Sequence, residues 1–256
     1  MKNISIILPT HNGASYIKQS IESVLKQTHQ NFELIIINDG SSDNSEEIIK
    51  SFLDTRIKYI KNDINLGLQK TLNLGINLAE GEYIARIDDD DFWNDEDKLI
   101  KQIELFKTNS KLVLVGTGMH AIDGAGNKKF DLILPETDKK IRGQILSRTS
   151  FIHSSVCFPK KAFLEVGGFD ESERTKHVED HDLWLKFGSL GKFHNIPSCS
   201  VTVRFHNKSV IGKNFRQQQY REMALIFKYG KYYPNFLQAV ARSFLRIIFR
   251  MFVKPR

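Results

Sequence analysis

Short, unbroken apolar runs, each followed by a segment with helical spacing, fill the first 115 residues and narrow the fold more than any other feature. Ile4–Leu8, Phe32–Ile37, Ile57–Ile60, Gly81–Ile87 and Leu112–Val115 read as strands. Between them, Tyr16–Leu25, the capped segment from Asp43, Leu68–Ala79 and the stretch marked by Leu99, Ile103 and Phe106 read as helices. Strands that are apolar at consecutive positions must be covered on both faces. The alternation therefore predicts an α/β fold whose mostly parallel central sheet is flanked by helices. Ligands in such sheets bind beyond the carboxyl ends of the strands, so chemistry is sought there.

The second half is less regular. Asp123–Asn127 predicts a turn between extended segments, Thr137–Leu146 and Lys160–Val166 short helices, Asp182–Phe187 a helix and Val201–Phe205 a strand. Gly167 and Gly168 occupy the C-cap of the second short helix. No linker, repeat or low-complexity stretch divides the 256 residues. The expected organisation is one domain over 1–206, with halves 1–115 and 116–206, followed by a helical extension over 207–256. Two cysteines exclude a disulfide scaffold and a cysteine zinc site. The N-terminus runs directly into a strand pattern, too short an apolar run for a signal peptide, which predicts a cytoplasmic protein.

Four consecutive acids, Asp88-Asp89-Asp90-Asp91, follow the strand that ends at Ile87. Such a run at a strand's carboxyl end repels itself unless a cation offsets it. In extended chain Asp88 and Asp90 face the same way, and carboxylate ligation selects Mg²⁺ or Mn²⁺ over zinc. A solvated helix-capping turn is the weaker alternative. A second acidic group, Glu179-Asp180-His181-Asp182, straddles a helix start, where the helix dipole favours negative charge and a carboxylate can serve as a base. His177 and His181 lack the glutamate of a zinc-protease helix. Gly116-Thr117-Gly118 is followed by a turn rather than a helix, so it is not read as a dinucleotide loop. The sequence holds no P-loop and no nucleophile elbow, and Cys157 reads as a small buried hydrophobe.

Taken together, several segments resemble the inverting glycosyltransferases of family 2, which have the GT-A fold. They are Ile6–Gly13, Gln27-Thr28, Phe32–Asp43, Asn65-Leu66-Gly67, Ala85–Asp91, His153–Val156, Gly167–Asp170, Glu179–Leu185 and Arg204–His206. The resemblance runs from residue 3 to about 206, and it implies a nucleotide-sugar-binding half over 1–115 and an acceptor-binding half over 116–206. It implies that Pro9, Thr10 and Asn12 line the nucleoside pocket, and that Asp39 accepts a hydrogen bond from the base, commonly uracil. Asn65 and Gly67 would let the nucleotide approach the backbone, with Arg86 and Asp89 beside the donor. Asp88 and Asp90 would form the D-x-D pair, Asp90 being the direct ligand of a metal bridging the diphosphate; an 89/91 frame is also open. Asp180 would be the general base of a single inverting displacement. Gly168, Phe169, Asp170 and Glu179 would shape the acceptor site, and Trp184 would pack or stack on sugar. Gln69-Lys70-Thr71 precedes Asn73 where the family often has Ala-Arg-Asn. His206 resembles a late metal or phosphate ligand.

The charge is uneven. Residues 204–256 carry twelve Lys or Arg against one acid, Glu222, for a net +11, which leaves −4 in the first 203. Asn235–Arg256 predicts an amphipathic helix whose Arg242, Arg246, Arg250 and Lys254 form a slanted basic stripe. Buried arginine disfavours a membrane span, and an anionic membrane surface is the expected partner; nucleic acid is not, because no base-reading element accompanies the charge. The expected substrates are a nucleoside-diphosphate sugar donor, UDP-linked by the Asp39 argument, and a saccharide or lipid-linked saccharide acceptor. The rival functions are a sugar-nucleotide nucleotidyltransferase, which would need a glycine-rich basic signature near the N-terminus, and an inactive sugar-nucleotide-binding protein, which would not need Asp88, Asp90 and Asp180 together.

Overall fold

Every apolar run read from the first 115 residues forms a strand of the computed structural model, which describes residues 3–206 and 215–252, with backbone alone for 215–216 and 248–252. Strands β1 (Ile4–Thr10), β2 (Phe32–Asp39), β3 (Ile57–Asn62) and β4 (Tyr83–Arg86) lie side by side in the order β3-β2-β1-β4, all parallel. Their connections contain helices α1 (Ile17–Leu25), α2 (Ser45–Lys50) and α3 (Leu68–Leu78). Every residue of β1 and β2 is buried. Alternate side chains supply two cores: Ile7, Ile35 and Ile37 face α3, while Ile4, Ile6, Leu8, Leu34 and Ile36 face α1 and α4 (Lys98–Thr108). Burial of each such side chain contributes about 1.5–3 kcal/mol, and this drives the three-layer arrangement.

The sheet then changes character. β5 (Phe92–Trp93) is followed by α4 and by β6 (Leu112–Asp123), which turns through 123–127 into β7 (Lys128–Leu132). α5 (Asp138–Arg142) and a 3-10 turn at His153–Ser155 lead to β8 (Cys157–Pro159). This three-residue strand runs antiparallel to both β4 and β6 and so joins the two halves of the sheet. α6 (Lys160–Glu165), α7 (Glu179–Phe187) and the fourteen-residue β9 (Lys192–Phe205) complete it, with β9 parallel to β6 and capped at its far end by β5. Gly116 and Gly118 lie inside β6, which settles against a dinucleotide loop. Cys157 is fully buried, as read. Because β6 and β9 share the direction of β1, β2 and β4, the carboxyl ends of all five strands reach one edge.

α8 (Phe215–Tyr229) and α9 (Phe236–Phe252) pack onto this body rather than standing away from it. Leu225, Ile226, Tyr229, Tyr233 and Ala239 belong to the same apolar core as α3 and α7. Of the expected basic stripe, Arg242 is partly buried and Arg246 is exposed, and both also reach back to the body. Arg246 donates to the Ser147 carbonyl (2.8 Å) and pairs with Glu222 (3.7 Å), and Arg242 reaches Ser147 Oγ. Ala239 and Ser243 turn inward, and Leu237, Phe244 and Leu245 are exposed alongside Arg246. The side chains of Arg250 and Lys254 lie outside the described residues. Among the described residues no helix is long and apolar enough to cross a membrane.

Candidate active site

The shared sheet edge gathers Thr10, Asp39, the aspartate run and His206. The loops after β1 and β2 are laced to each other. Asn12, in the left-handed region (φ 58°) that asparagine tolerates, accepts from the Ser42 amide at 2.9 Å and donates its own amide to Ser41 Oγ at 2.9 Å. Asp43 accepts from the Ala14 and Ser45 amides, just ahead of α2 and its N-cap residue Asn44. Pro9 is buried within β1. A Cβ on Gly13 would lie 2.1 Å from Asp89 Oδ2, so only glycine lets this loop approach the acids.

Asp39 is more occupied than the sequence implied. Its carboxylate accepts from Asn62 Nδ2 (2.8 Å), the Leu66 amide (2.9 Å) and the Gly67 amide (3.0 Å), and thus holds the Asn65–Gly67 loop in place. Gly67 takes φ 89°, and Asn65 is exposed beside it.

The four aspartates separate into distinct environments. Asp88 receives both Arg86 Nη atoms (2.8 and 2.6 Å) and the Ser154 hydroxyl; burial opposes its charge, but Arg86 prevails and holds the carboxyl down at about 2. Asp89 accepts from Thr10 Oγ1, yet burial and then the Asp90 and Asp88 charges push it up to about 7. Asp90 contacts His206 Nε2 at 2.9 Å, and burial followed by the Asp88 charge raises its pKa. Asp91 is buried, accepting from Ser154 Oγ and the Arg204 amide, and burial drives it well above the ordinary range. Asp88 and Asp90 keep about a third and a quarter of their side chains in solvent (33% and 27%), whereas Asp91 is closed off.

Facing them is the start of α7. The Glu179 carboxyl is buried, and burial, with the Asp180 charge second, lifts it to about 7. Asp180 is only partly buried, and its Oδ1 accepts from the His181 amide. His153, on the 3-10 turn, lies between the two acidic groups: burial and then Arg86 lower it to about 4, against the pull of Asp180 and Asp88. His181 Nε2 donates to the Ile145 carbonyl (2.7 Å), a structural use that excludes the zinc arrangement with His177.

Two acceptor-site expectations need correction. Trp184 is 3% exposed and packed against Phe151, Phe158, Phe187 and His153, so its ring is core and has no face for a sugar. Phe169, equally buried, packs on Phe163 and His153. The loop around it is nonetheless built into the site. Gly168 takes φ 72°, and the Asn73 side-chain amide clasps Phe169 on both sides, its Oδ1 accepting from the Phe169 amide and its Nδ2 donating to the Phe169 carbonyl (both 3.0 Å). Asn73 therefore ties α3 to the 168–170 loop, a long-range role that local sequence does not announce. Asp170 caps its own turn by accepting from the Ser172 amide. His153 and Ser154, Asp88's partner, are the site residues that residue-by-residue reasoning passed over; only their place within the resemblance marked them.

The family model for glycosyl transferase family 2 matches residues 5–171. The chain belongs to that family. An uncharacterized glycosyltransferase of Rickettsia conorii is 35% identical over 212 residues, covering 80% of this chain and 34% of that protein. Another, from Haemophilus influenzae, is 30% identical over 216 residues, covering 79% and 65%. The chain spans about one to two thirds of the length of the curated relatives it matches first. Among solved structures, S. aureus TarS 1-349 in complex with UDP-GlcNAc superposes with a TM-score of 0.71 at 17% identity, covering 90% of this chain and 67% of that one. The mannosyltransferase PcManGT from Pyrobaculum calidifontis, in complex with GDP-Man and Mn²⁺, gives 0.65 at 13% identity, covering 99% and 76%. These likenesses establish the GT-A fold of the family 2 chain. The family match ends nine residues before Asp180, so the base candidate rests on the geometry of α7.

Proposed function

We propose that this family 2 chain transfers a sugar from a nucleoside-diphosphate sugar, UDP-linked, to an acceptor hydroxyl with inversion. The observation that carries the reading is the opposition of Asp180 to the Asp88–Asp90 edge across Arg86 and His153. A partly exposed carboxylate thus stands across the site from the acids that would hold the diphosphate. Asp180 takes the proton from the acceptor oxygen as that oxygen attacks the anomeric carbon, and the nucleoside diphosphate leaves from the opposite face. Positive charge grows on the sugar ring, as in other glycosyl transfers.

The donor set suits Mn²⁺ or Mg²⁺. Asp88 and Asp90 form the open pair, whereas Asp89 is turned to Thr10 and Asp91 is closed in, which favours the 88/90 frame. Both Asp88 oxygens already serve Arg86, leaving Asp90, beside His206, as the direct ligand. No group of three or more His, Cys, Asp or Glu side chains arranged to hold a metal occurs among the described residues; the diphosphate would complete the coordination. When bound, the metal supplies Lewis-acid stabilisation of the charge that develops on the leaving group. Asp39 retains lone pairs for the base while fixing the Asn65–Gly67 loop, and Glu179 with the Gly168–Asp170 loop shapes the acceptor side. TarS and PcManGT, with their UDP-GlcNAc and GDP-Man complexes, support a nucleotide-sugar donor.

The acceptor we propose is a saccharide or lipid-linked saccharide at the inner face of an anionic membrane, in surface polysaccharide or glycolipid synthesis. Leu237, Phe244 and Leu245, exposed along α9 within a segment of net charge +11, suit an interfacial helix. Calorimetric titration with UDP, GDP and dTDP, in Mn²⁺ and again in EDTA, tests the donor site. Manganese-dependent binding of UDP is expected, and binding of no nucleotide would overturn the reading. Cosedimentation with phosphatidylglycerol vesicles tests the surface: Phe244→Glu should abolish an association that neutral vesicles do not support.

A further inference from the structure

α7 begins at an unusual corner of the chain. His177, two residues before the helix, takes φ 66°, in the left-handed region that a residue with a side chain seldom occupies. Such a conformation persists only where its surroundings over-determine it. Within the loop, buried Thr175 donates its hydroxyl to the Asp170 carbonyl (2.8 Å), and the Val178 amide donates to the Thr175 carbonyl (2.9 Å). The next two carbonyls, of Lys176 and His177, are taken by another element. Arg221 Nη1 donates to the first at 2.8 Å and Gln218 Nε2 to the second at 3.2 Å, both from α8. Arg221 Nη2 also lies 3.9 Å from Glu173 of the same loop.

Residues 218 and 221 are three apart and so share a face of α8. The same face continues through Leu225, in the apolar core, to Lys228 and Tyr229, which hold Asp182. α8 therefore grips α7 twice, at Asp182 within the helix and at the carbonyls of the turn that leads into it. The second grip bears on Asp180. That residue is the second of its helix, at the end where amides lack intrahelical partners and the backbone frays. The hydrogen bond that its carboxylate accepts comes from its own neighbour, the His181 amide (2.7 Å), which moves with the helix end and does not tie it to the body. The backbone of 176–178 thus sets where the carboxylate points.

We infer that Gln218 and Arg221 are positioning residues for the base: by holding the Lys176 and His177 carbonyls they fix the turn from which Asp180 is aimed at the acceptor oxygen. This rests on the reading of Asp180 above. It places part of the working geometry on α8, well beyond residue 171, where the family match ends.

The test compares wild type with Gln218→Leu, Arg221→Met and the two together, which keep apolar stems on α8 but lose the donors, and with Arg221→Lys, which keeps one. Nucleoside diphosphate release from UDP-GlcNAc and from GDP-mannose is followed in Mn²⁺, with octyl glucoside as the hydroxyl acceptor. Amide exchange over 176–183 and calorimetric affinity for UDP and GDP are measured beside it. The double variant should speed exchange over 178–183 about tenfold, the weight of the two bonds, and leave β1–β4 unchanged. Its kcat should fall about 10- to 100-fold with donor KM and nucleotide affinity unchanged, because a small misplacement of a reacting group carries that cost. Arg221→Lys should recover much of both losses. Combined with Asp180→Asn, the double variant should lower the residual rate no further, because the group it aims is gone. Full kcat beside faster exchange would show bonds that only stabilise the loop and would overturn the inference, as would a further fall in the Asp180→Asn background. A rate lost in Asp180→Asn but kept in every α8 variant rejects the inference and leaves the base reading standing. If Asp180→Asn turns over like wild type, both fall. If wild type turns over neither donor, exchange decides: acceleration confined to 176–183 supports the hold on the helix end, and unchanged exchange overturns it. Should the double variant not fold, the single variants are read in the same way.

Discussion

The two acidic groups of this site meet the same electrostatic problem in opposite ways. Each has a partly exposed carboxylate (Asp90 beside Asp88, and Asp180), one lifted to about 7 (Asp89, Glu179) and one deeply buried (Asp91, Asp182). Among the described residues no cation pairs with Asp91: it accepts from the Ser154 hydroxyl and the Arg204 amide, and burial raises its pKa well above the ordinary range. Asp182, with no exposure at all, is held by Lys186 Nζ and Lys228 Nζ (3.0 Å each) and by Tyr229 Oη (2.8 Å). One buried acid is held by uncharged donors, the other by cations. The first solution leaves Asp91 apart from the partly exposed Asp88 and Asp90. The second fixes the helix that carries Asp180 at its start.

The largest effect expected from breaking this comparison is on turnover. Asp180→Asn should cut transfer by about 10²–10⁴, the weight of a positioned general base, with nucleotide affinity unchanged in calorimetry. Next comes Asp182→Ala, which strands Lys186 in a buried setting and should cost about 3 kcal/mol in urea unfolding. Asn73→Ala releases the Phe169 backbone and should cost about 1–2 kcal/mol. Asp91→Asn keeps one oxygen for the Arg204 amide and turns an NH2 donor to Ser154 Oγ, so it should cost only about 1 kcal/mol. An Asp91→Asn loss as large as that of Asp182→Ala would erase the distinction.

A buried base sharpens the same point. Lys98 is fully enclosed, its Nζ donating to Gln102 Oε1 (2.8 Å) and lying 4.0 Å from the centre of the Trp93 ring, and burial lowers it to about 7 from its usual 10.5. The unfolded chain holds that proton across this window and the folded chain does not. Lys98 therefore contributes a rise in stability as pH climbs from 7 toward 10.5. Lys98→Met should flatten that rise in urea midpoints measured along the pH series; an unchanged slope would show that the amine stays charged in the fold.

The half of the fold legible in the sequence is the half governed by local pattern. The runs at Ile4–Leu8 and Phe32–Ile37 declare themselves because both faces of each strand are apolar. β5 and β8 are too short for any period to register. β9 begins at Lys192, but only Val201–Phe205 reads as a strand, since Pro197 and its polar neighbours interrupt the pattern and β6 supplies the pairing. In the site, the acids were visible as residue types, but their division of labour was not. What separates Asp90 from Asp91 is Ser154, more than sixty residues away, and what occupies Asp39 is the 62–67 segment. Trp184 misled for the same reason: a helical tryptophan beside acids suits a sugar platform or a core, and only tertiary packing chooses.

The partners of Asp182 carry a consequence for how the molecule is made. During synthesis the parallel strands β1 to β4 find one another early, from contacts within a single stretch of chain, and domains generally fold from the N-terminus onward. α7 does not share that independence, because two of the three groups that hold its buried acid, Lys228 and Tyr229, come from α8. Until they have been translated, Asp182 has only Lys186, from its own helix, beside it. The parallel half is thus complete before the packing that seats α7, and the two acidic groups come to face each other only among the last events of folding.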